Sequence, residues 1–186
     1  MSLLRLDHVA CVRGGRLLFE GLSLALGAGE AALVAGPNGA GKTSLIRIAA
    51  GLLRPAAGSA ERGPAALADD GLALDERLPL GRALGFWARL DGVPEPAGME
   101  RMGIAHLAAV PVRMLSTGQR RRAALARVVA SRAALWLLDE PANGLDSEGV
   151  ERLAGLIAEH RARGGALLAA SHVPLGIAGA REVRLG

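Results

Sequence analysis

An α/β fold built on a parallel sheet is the class this sequence predicts, and three observations predict it. Short apolar runs alternate with helical stretches through the second half of the chain. One such run, Ala31–Ala35, leads into Gly36-Pro37-Asn38-Gly39-Ala40-Gly41-Lys42-Thr43, which satisfies G-x-x-x-x-G-K-[ST] at every defined position. Another, Leu135–Leu138, leads into Asp139-Glu140-Pro141, placing two carboxylates where a buried strand would end.

The elements follow in order. Residues 3–12 and 22–26 read as strands of a short antiparallel β-meander, with Arg13-Gly14-Gly15-Arg16 as the turn. Ala31–Ala35 is a buried strand, Gly36–Gly41 a loop, and Lys42 to Gly51 a helix, from the spacing of Leu45, Ile46, Ile48 and Ala49. Residues 54–79 are rich in Pro, Gly, Ala and Asp and show only a strand around Ala65–Ala68. Residues 80–91 form an amphipathic helix, and Pro94–Leu115 short helices broken at Pro94, Pro96 and Pro111. A helix over Gln119–Ala130, a strand over Ala134–Leu138, a helix over Ser147–Arg163 and a strand over Ala166–Ala170 come next. A short helical piece and a terminal strand, Glu182–Leu185, close the chain.

Composition sets the bounds. At 186 residues the chain fits one compact domain, 1–186. Packing must rest on Leu, Ala and Val, since only Phe19, Phe86, Trp87 and Trp136 are aromatic. The net charge of +4 is spread along the chain, which argues against a nucleic-acid partner. A lone cysteine, Cys11, excludes an internal disulfide. The N-terminus carries Arg5, Asp7 and His8 and lacks the apolar core of a signal peptide, and the charge-free stretch from Gly164 to Ala180 is short for a bilayer span, so the chain reads as soluble on its own.

The chemistry sits in three places. The glycines of residues 36–41 let successive N–H groups turn inward toward phosphate oxygens, and the following helix offers its positive end to the same anion. Lys42, the chain's only lysine among 22 basic residues, would reach the β- and γ-phosphates, and the Thr43 hydroxyl would ligate Mg²⁺. Four matching positions arise by chance on the order of once in 30,000 sites. Taken alone, Asp139 and Glu140 could cap the next helix. Beside the phosphate loop, Asp139 reads as a Mg²⁺ holder and Glu140 as the group that polarises the attacking water.

The third place is Leu115-Ser116-Thr117-Gly118-Gln119, directly before the basic helix. Here the chain resembles the ABC (ATP-binding cassette) ATPases, whose signature is LSGGQ or a close variant. The resemblance covers nearly the whole chain and implies a P-loop NTPase domain with an N-terminal antiparallel β subdomain and a small helical subdomain at about 80–130. It implies ATP and Mg²⁺ as ligands. Gly36, Pro37, Asn38, Gly39, Ala40, Gly41, Lys42, Thr43 and Ser44 would contact the nucleotide from one protomer, and Ser116, Gly118 and Gln119 from a second. Asn143-Gly144-Leu145-Asp146 looks like the D-loop that crosses the dimer seam, and His172 like the switch histidine.

Two positions depart from the family pattern. Arg13 stands where an aromatic residue usually stacks on adenine, and a guanidinium plane can stack there too. No glutamine occurs between Ala65 and Leu78 where the family has its Q-loop; Asp69 and Asp70 lie nearest.

Leu17-Leu18-Phe19, Phe86-Trp87, Pro111-Val112-Arg113 and the Arg-Arg-Arg-Ala-Ala-Leu-Ala-Arg run resemble most the ATPase subunits of cytochrome c maturation haem exporters, which carry arginine near the adenine site and often lack the Q-loop glutamine. That resemblance implies a homodimer held peripherally at the cytoplasmic face of a bacterial inner membrane. Integral membrane subunits would dock at Leu80–Leu107. A DNA-organising ABC ATPase would need a long coiled coil between the motifs, and a ribosome-acting one a second cassette; neither is present. A low-activity regulatory cassette is the remaining alternative.

Overall fold

The computed structural model describes residues 2–93 and 97–186. The expected breaks at Pro94 and Pro96 lie outside the described residues.

Strands β1 (Leu4–Arg13) and β2 (Arg16–Leu26) form an antiparallel hairpin, and β4 (Ala57–Arg62) pairs with the other edge of β1. The second sheet is wholly parallel, in the order β5 (Ala65–Ala68), β6 (Leu135–Asp139), β7 (Ala166–Ala170), β3 (Ala31–Ala35), β8 (Arg181–Arg184). Because all five strands run the same way, the segments that follow them emerge along one edge.

The inner strands β3, β6 and β7 are buried on both faces, as their near-continuous apolar sequences require, whereas the edge strand β8 is largely exposed. Along β6 the side chains alternate. Leu135 and Leu137 join the layer that holds α1 (Lys42–Ala49) and the antiparallel sheet. Trp136 and Leu138 join the layer that holds α2 (Leu80–Asp91), α4 (Thr117–Ala130) and α5 (Ser147–Ala162). The alternation of side chains along a strand therefore divides this continuous apolar run between two layers of core. A short helix, α3 (Ala97–Arg101), packs on α4. A Cβ at Gly98 would collide with the Ala126 carbonyl, so this close helix contact requires glycine.

The chain enters the helical layer through residues 76–81 and leaves through 108–113. These run side by side, with Leu80 N–H donating to Val110 O at 2.9 Å and Val112 N–H to Leu78 O at 3.0 Å. Single 3-10 turns at Ala105–Leu107 and Val112–Met114 complete this layer.

Three elements differ from the sequence reading. The second strand begins at Arg16, not 22, because pairing with β1 carries it through Arg16–Gly21, where only Phe19 is buried. β4 was not foreseen: its six residues are all exposed and show no alternation. Residues 171–180, expected to hold a short helical piece, are irregular, with a bend at 172–173 and a turn at 178–179, and Gly176 and Gly179 at φ of 62° and 66°.

Candidate functional site

The loop Gly36–Gly41 joins β3 to α1, and its backbone explains its glycines. Gly41 is the N-cap of α1 at φ 103°, with no side chain capping the helix, so the first N–H groups of α1 are left for another acceptor. A Cβ at Gly41 would lie 3.0 Å from the Phe19 ring, and one at Gly36 would run into the Leu185 carbonyl. Ala40 N–H closes a turn onto Pro37 O at 3.2 Å, with Asn38 and Gly39 (φ 82°) at its tip. Lys42 is almost fully buried, and its ammonium donates to Gly36 O at 2.9 Å and Pro37 O at 3.2 Å. Ser44 is half-buried in the first turn of α1.

Thr43 points toward the end of β6. Its hydroxyl hydrogen-bonds the Asp139 carboxylate, which is 3% exposed. Burial pushes the Asp139 carboxyl above the ordinary aspartate range; the Thr43 bond opposes this, and the negative charges of Asp70, Glu140 and Asp69 add to it. Asp139 Oδ1 is buried and finds no hydrogen-bond partner among the described residues. An orphaned carboxylate oxygen beside a hydroxyl, under added negative charge, suits a small divalent cation with oxygen ligands. These residues therefore fit Mg²⁺.

Glu140 has a positive φ of 47°, a conformation that costs a non-glycine residue about 1–2 kcal/mol. Its N–H still donates to Ala170 O at 2.8 Å, so the kink comes at the last rung of the β6–β7 ladder. The turned side chain meets His172, whose Nδ1 lies 2.7 Å and whose N–H lies 3.3 Å from Oε2. Strain held at a strand end beside paired acid and imidazole groups is a functional feature more often than an accident.

Ser116 is the N-cap of α4 in a reciprocal capping box. Its hydroxyl accepts from Gln119 N–H at 3.3 Å, and Gln119 Oε1 accepts from Ser116 N–H at 2.9 Å. The Gln119 side chain is thus turned back onto the cap. Gly118 faces the Asn143–Asp146 loop: a Cβ there would sit 2.5 Å from Gly144 O. Asp146 caps α5 through Gly149 N–H at 2.9 Å and also receives Arg122. Those hydrogen bonds, Gly149 first, hold its carboxyl below the usual range.

Lys42, Thr43, Asp139, Glu140 and His172 gather along the edge where β3, β6 and β7 end. Among the described residues, no hydrogen bond or ion pair joins Ser116, Gly118 or Gln119 to residues 36–44. Arg13, exposed at the end of β1, pairs across the hairpin with Arg16, two residues beyond Cys11, which faces Phe19. Sequence reasoning missed Arg47, Arg121 and Arg122, whose partners Asp69, Asp70 and Asp146 are distant in sequence. The charge run could have pointed to Arg121 and Arg122; nothing in the sequence singled out Arg47.

A glycine loop between a parallel strand and a helix, with acidic residues closing the next strand but one, is the architecture of the P-loop nucleotide-binding proteins. Residues 19–87 and 96–143 match the ABC transporter family. The chain is 61% identical to the cytochrome c biogenesis ATP-binding export protein CcmA of Sphingopyxis alaskensis, over 99% of this chain and 97% of that protein. It is 53% identical to the protein of the same description from Zymomonas mobilis, over 95% and 81%. Its fold matches a solved ATP-binding subunit of an ABC transporter with a TM-score of 0.88 at 21% identity, over 98% of this chain and 85% of that one. The chain belongs to the ABC transporter ATP-binding family, in the branch of the cytochrome c biogenesis ATP-binding export proteins.

Proposed function

We propose that the chain hydrolyses ATP as a pair of identical subunits and thereby drives integral membrane partners, with haem export in cytochrome c biogenesis as the task. The observation that carries the reading is the buried, unpartnered Asp139 Oδ1 beside Thr43, one residue from the strained Glu140 that meets His172. A stability-driven sheet would have little use for an orphaned carboxylate or a left-handed glutamate at this edge.

In this reading the Lys42 ammonium exchanges its two loop carbonyls for phosphate oxygens, and the α1 N–H groups donate to the same anion. Thr43 and Asp139 would hold Mg²⁺, which when bound neutralises charge developing on the transferred phosphoryl group. Glu140 accepts a hydrogen bond from the attacking water, and His172 steers that carboxylate. Arg13 offers its guanidinium plane to the base.

Ser116 and Gly118 of a second copy close the site with the N-terminus of α4; Gln119 holds that N-terminus in shape. Within one chain Ser116 and Gln119 bond to each other and Gly118 packs against Gly144, and among the described residues none of the three bonds to the phosphate loop, which supports closure by a partner. The family places such a subunit with membrane components. The helical layer, Leu80–Leu107, with exposed Phe86 and Leu90, is the proposed docking face at the cytoplasmic side of the inner membrane. No helix among the described residues is long and apolar enough to cross a membrane.

The test is phosphate release by the complex purified from membranes, before and after Glu140→Gln. Loss of turnover of about a hundredfold or more supports the assignment. Unchanged turnover overturns it.

A further inference from the structure

The run Arg120-Arg121-Arg122 looks in sequence like a solvated helix face, yet each residue is engaged. Arg120 donates to Leu115 O, Arg113 O and Glu76. Arg122 reaches Asp146 and Met102 O. Arg121, its side chain only 10% exposed, donates to the Asp70 carboxylate at 2.9 Å and to Asp69 O at 3.1 Å. Asp69 in turn receives Arg47 of α1 on Oδ2 at 3.3 Å, while its Oδ1 accepts Gly71 N–H at 3.0 Å. Polar contacts thus lead from the helix that opens at Lys42, through the Asp69 carboxylate and the backbone of residues 69–70, to the helix that opens at Ser116.

We propose that Asp70 and Arg121, with Asp69 and Arg47, form a positioning relay that registers the start of α4 against the body of α1, whose last turn carries Arg47 and whose first turn carries Lys42. The proposal rests on the reading that these two helix ends serve the same kind of nucleotide site. An exposed ion pair would contribute little. Asp70 is itself 82% exposed, but the guanidinium of Arg121 is buried and spans that carboxylate and a main-chain carbonyl of one segment, a geometry its planar fork suits and a lysine ammonium does not. The segment it holds follows β5, whose Ala68 pairs with Leu138, so residues 69–70 stand beside Asp139. A shift of either helix end therefore reaches the other through residues adjoining the proposed metal ligands.

Charge exchange tests the relay. Asp70→Arg, Arg121→Asp and the double variant would be compared with the parent in the membrane complex for kcat and KM. In the isolated chain carrying Cys11→Ser, spin labels at the exposed positions Leu52 and Met114 would report the α1–α4 distance. Each single variant should lower kcat about tenfold while KM moves less than about twofold, and should broaden the distance distribution. The double variant should recover both, and Arg121→Lys only part of the turnover. Unaltered single variants, or a double variant no better than the worse single, would overturn the relay. If Glu140→Gln left turnover intact, the hydrolytic reading would fall, and the distance distributions would still decide the relay.

Discussion

Gly118→Ala separates a steric demand from a conformational one. A Cβ at residue 118 would lie 2.5 Å from Gly144 O, where a carbon–oxygen contact normally stands at about 3.3 Å. The start of α4 and the 143–146 loop must then part by roughly 0.8 Å, and displacements near 1 Å at a catalytic constellation can cost about a hundredfold in rate. Overpacking costs about 1–3 kcal/mol, but alanine in a helix recovers up to about 1 kcal/mol relative to glycine. Stability should fall modestly, lowering Tm by no more than about 8 °C, while turnover collapses.

Gly144→Ala is the control. Its φ is 77°, but its Cβ would have nothing nearer than 3.6 Å, so it pays only the backbone cost of about 1–2 kcal/mol. Steady-state phosphate release and thermal unfolding on both variants give the comparison. A folded Gly118→Ala protein that turns over within about threefold of the parent would refute the steric argument.

Three further outcomes follow from the same geometry. Asp139→Asn should raise the stability of the nucleotide-free protein by about 1–3 kcal/mol at neutral pH, because it removes a buried and partly unpaired charge. The native carboxyl is shifted upward, so its favourable contribution is full below the ordinary aspartate pKa and lost as pH rises through the raised value; the advantage of Asn should grow from acid to neutral pH in thermal melts. Asp146→Asn should behave oppositely: the depressed carboxyl stabilises the fold above the ordinary aspartate pKa, so the variant should melt lower at neutral pH and match the parent once acid protonates that group. Lys42→Ala should abolish binding of a fluorescent ATP analogue with little loss of fold; retained binding at parental affinity would contradict the placement of the phosphate loop.

The parts of this molecule legible in sequence are those whose physics is local. Gly36–Thr43 declares itself through backbone needs and one lysine, and Leu135–Glu140 through an apolar run that stops at two acids. β4 escaped because all six of its residues face solvent, leaving no pattern of burial to read. Residues 171–180 were apolar enough to suggest a helix, but Pro174 and two left-handed glycines keep them irregular. The roles of Arg121 and Arg122 were hidden for another reason: their partners lie 51 and 24 residues away, so only the folded chain brings them together. The capping box at Ser116 was latent in the spacing of Ser116 and Gln119, overshadowed by the motif that contains them.

The central claim is that two copies close on shared nucleotide, with Lys42 below and Ser116 and Gly118 across. Light scattering on the isolated Glu140→Gln chain, with and without Mg²⁺ and ATP, measures this directly. The account predicts that the molar mass doubles on adding nucleotide and that Ser116→Arg abolishes the doubling. A chain that keeps the same mass under both conditions, at saturating ATP, would contradict it.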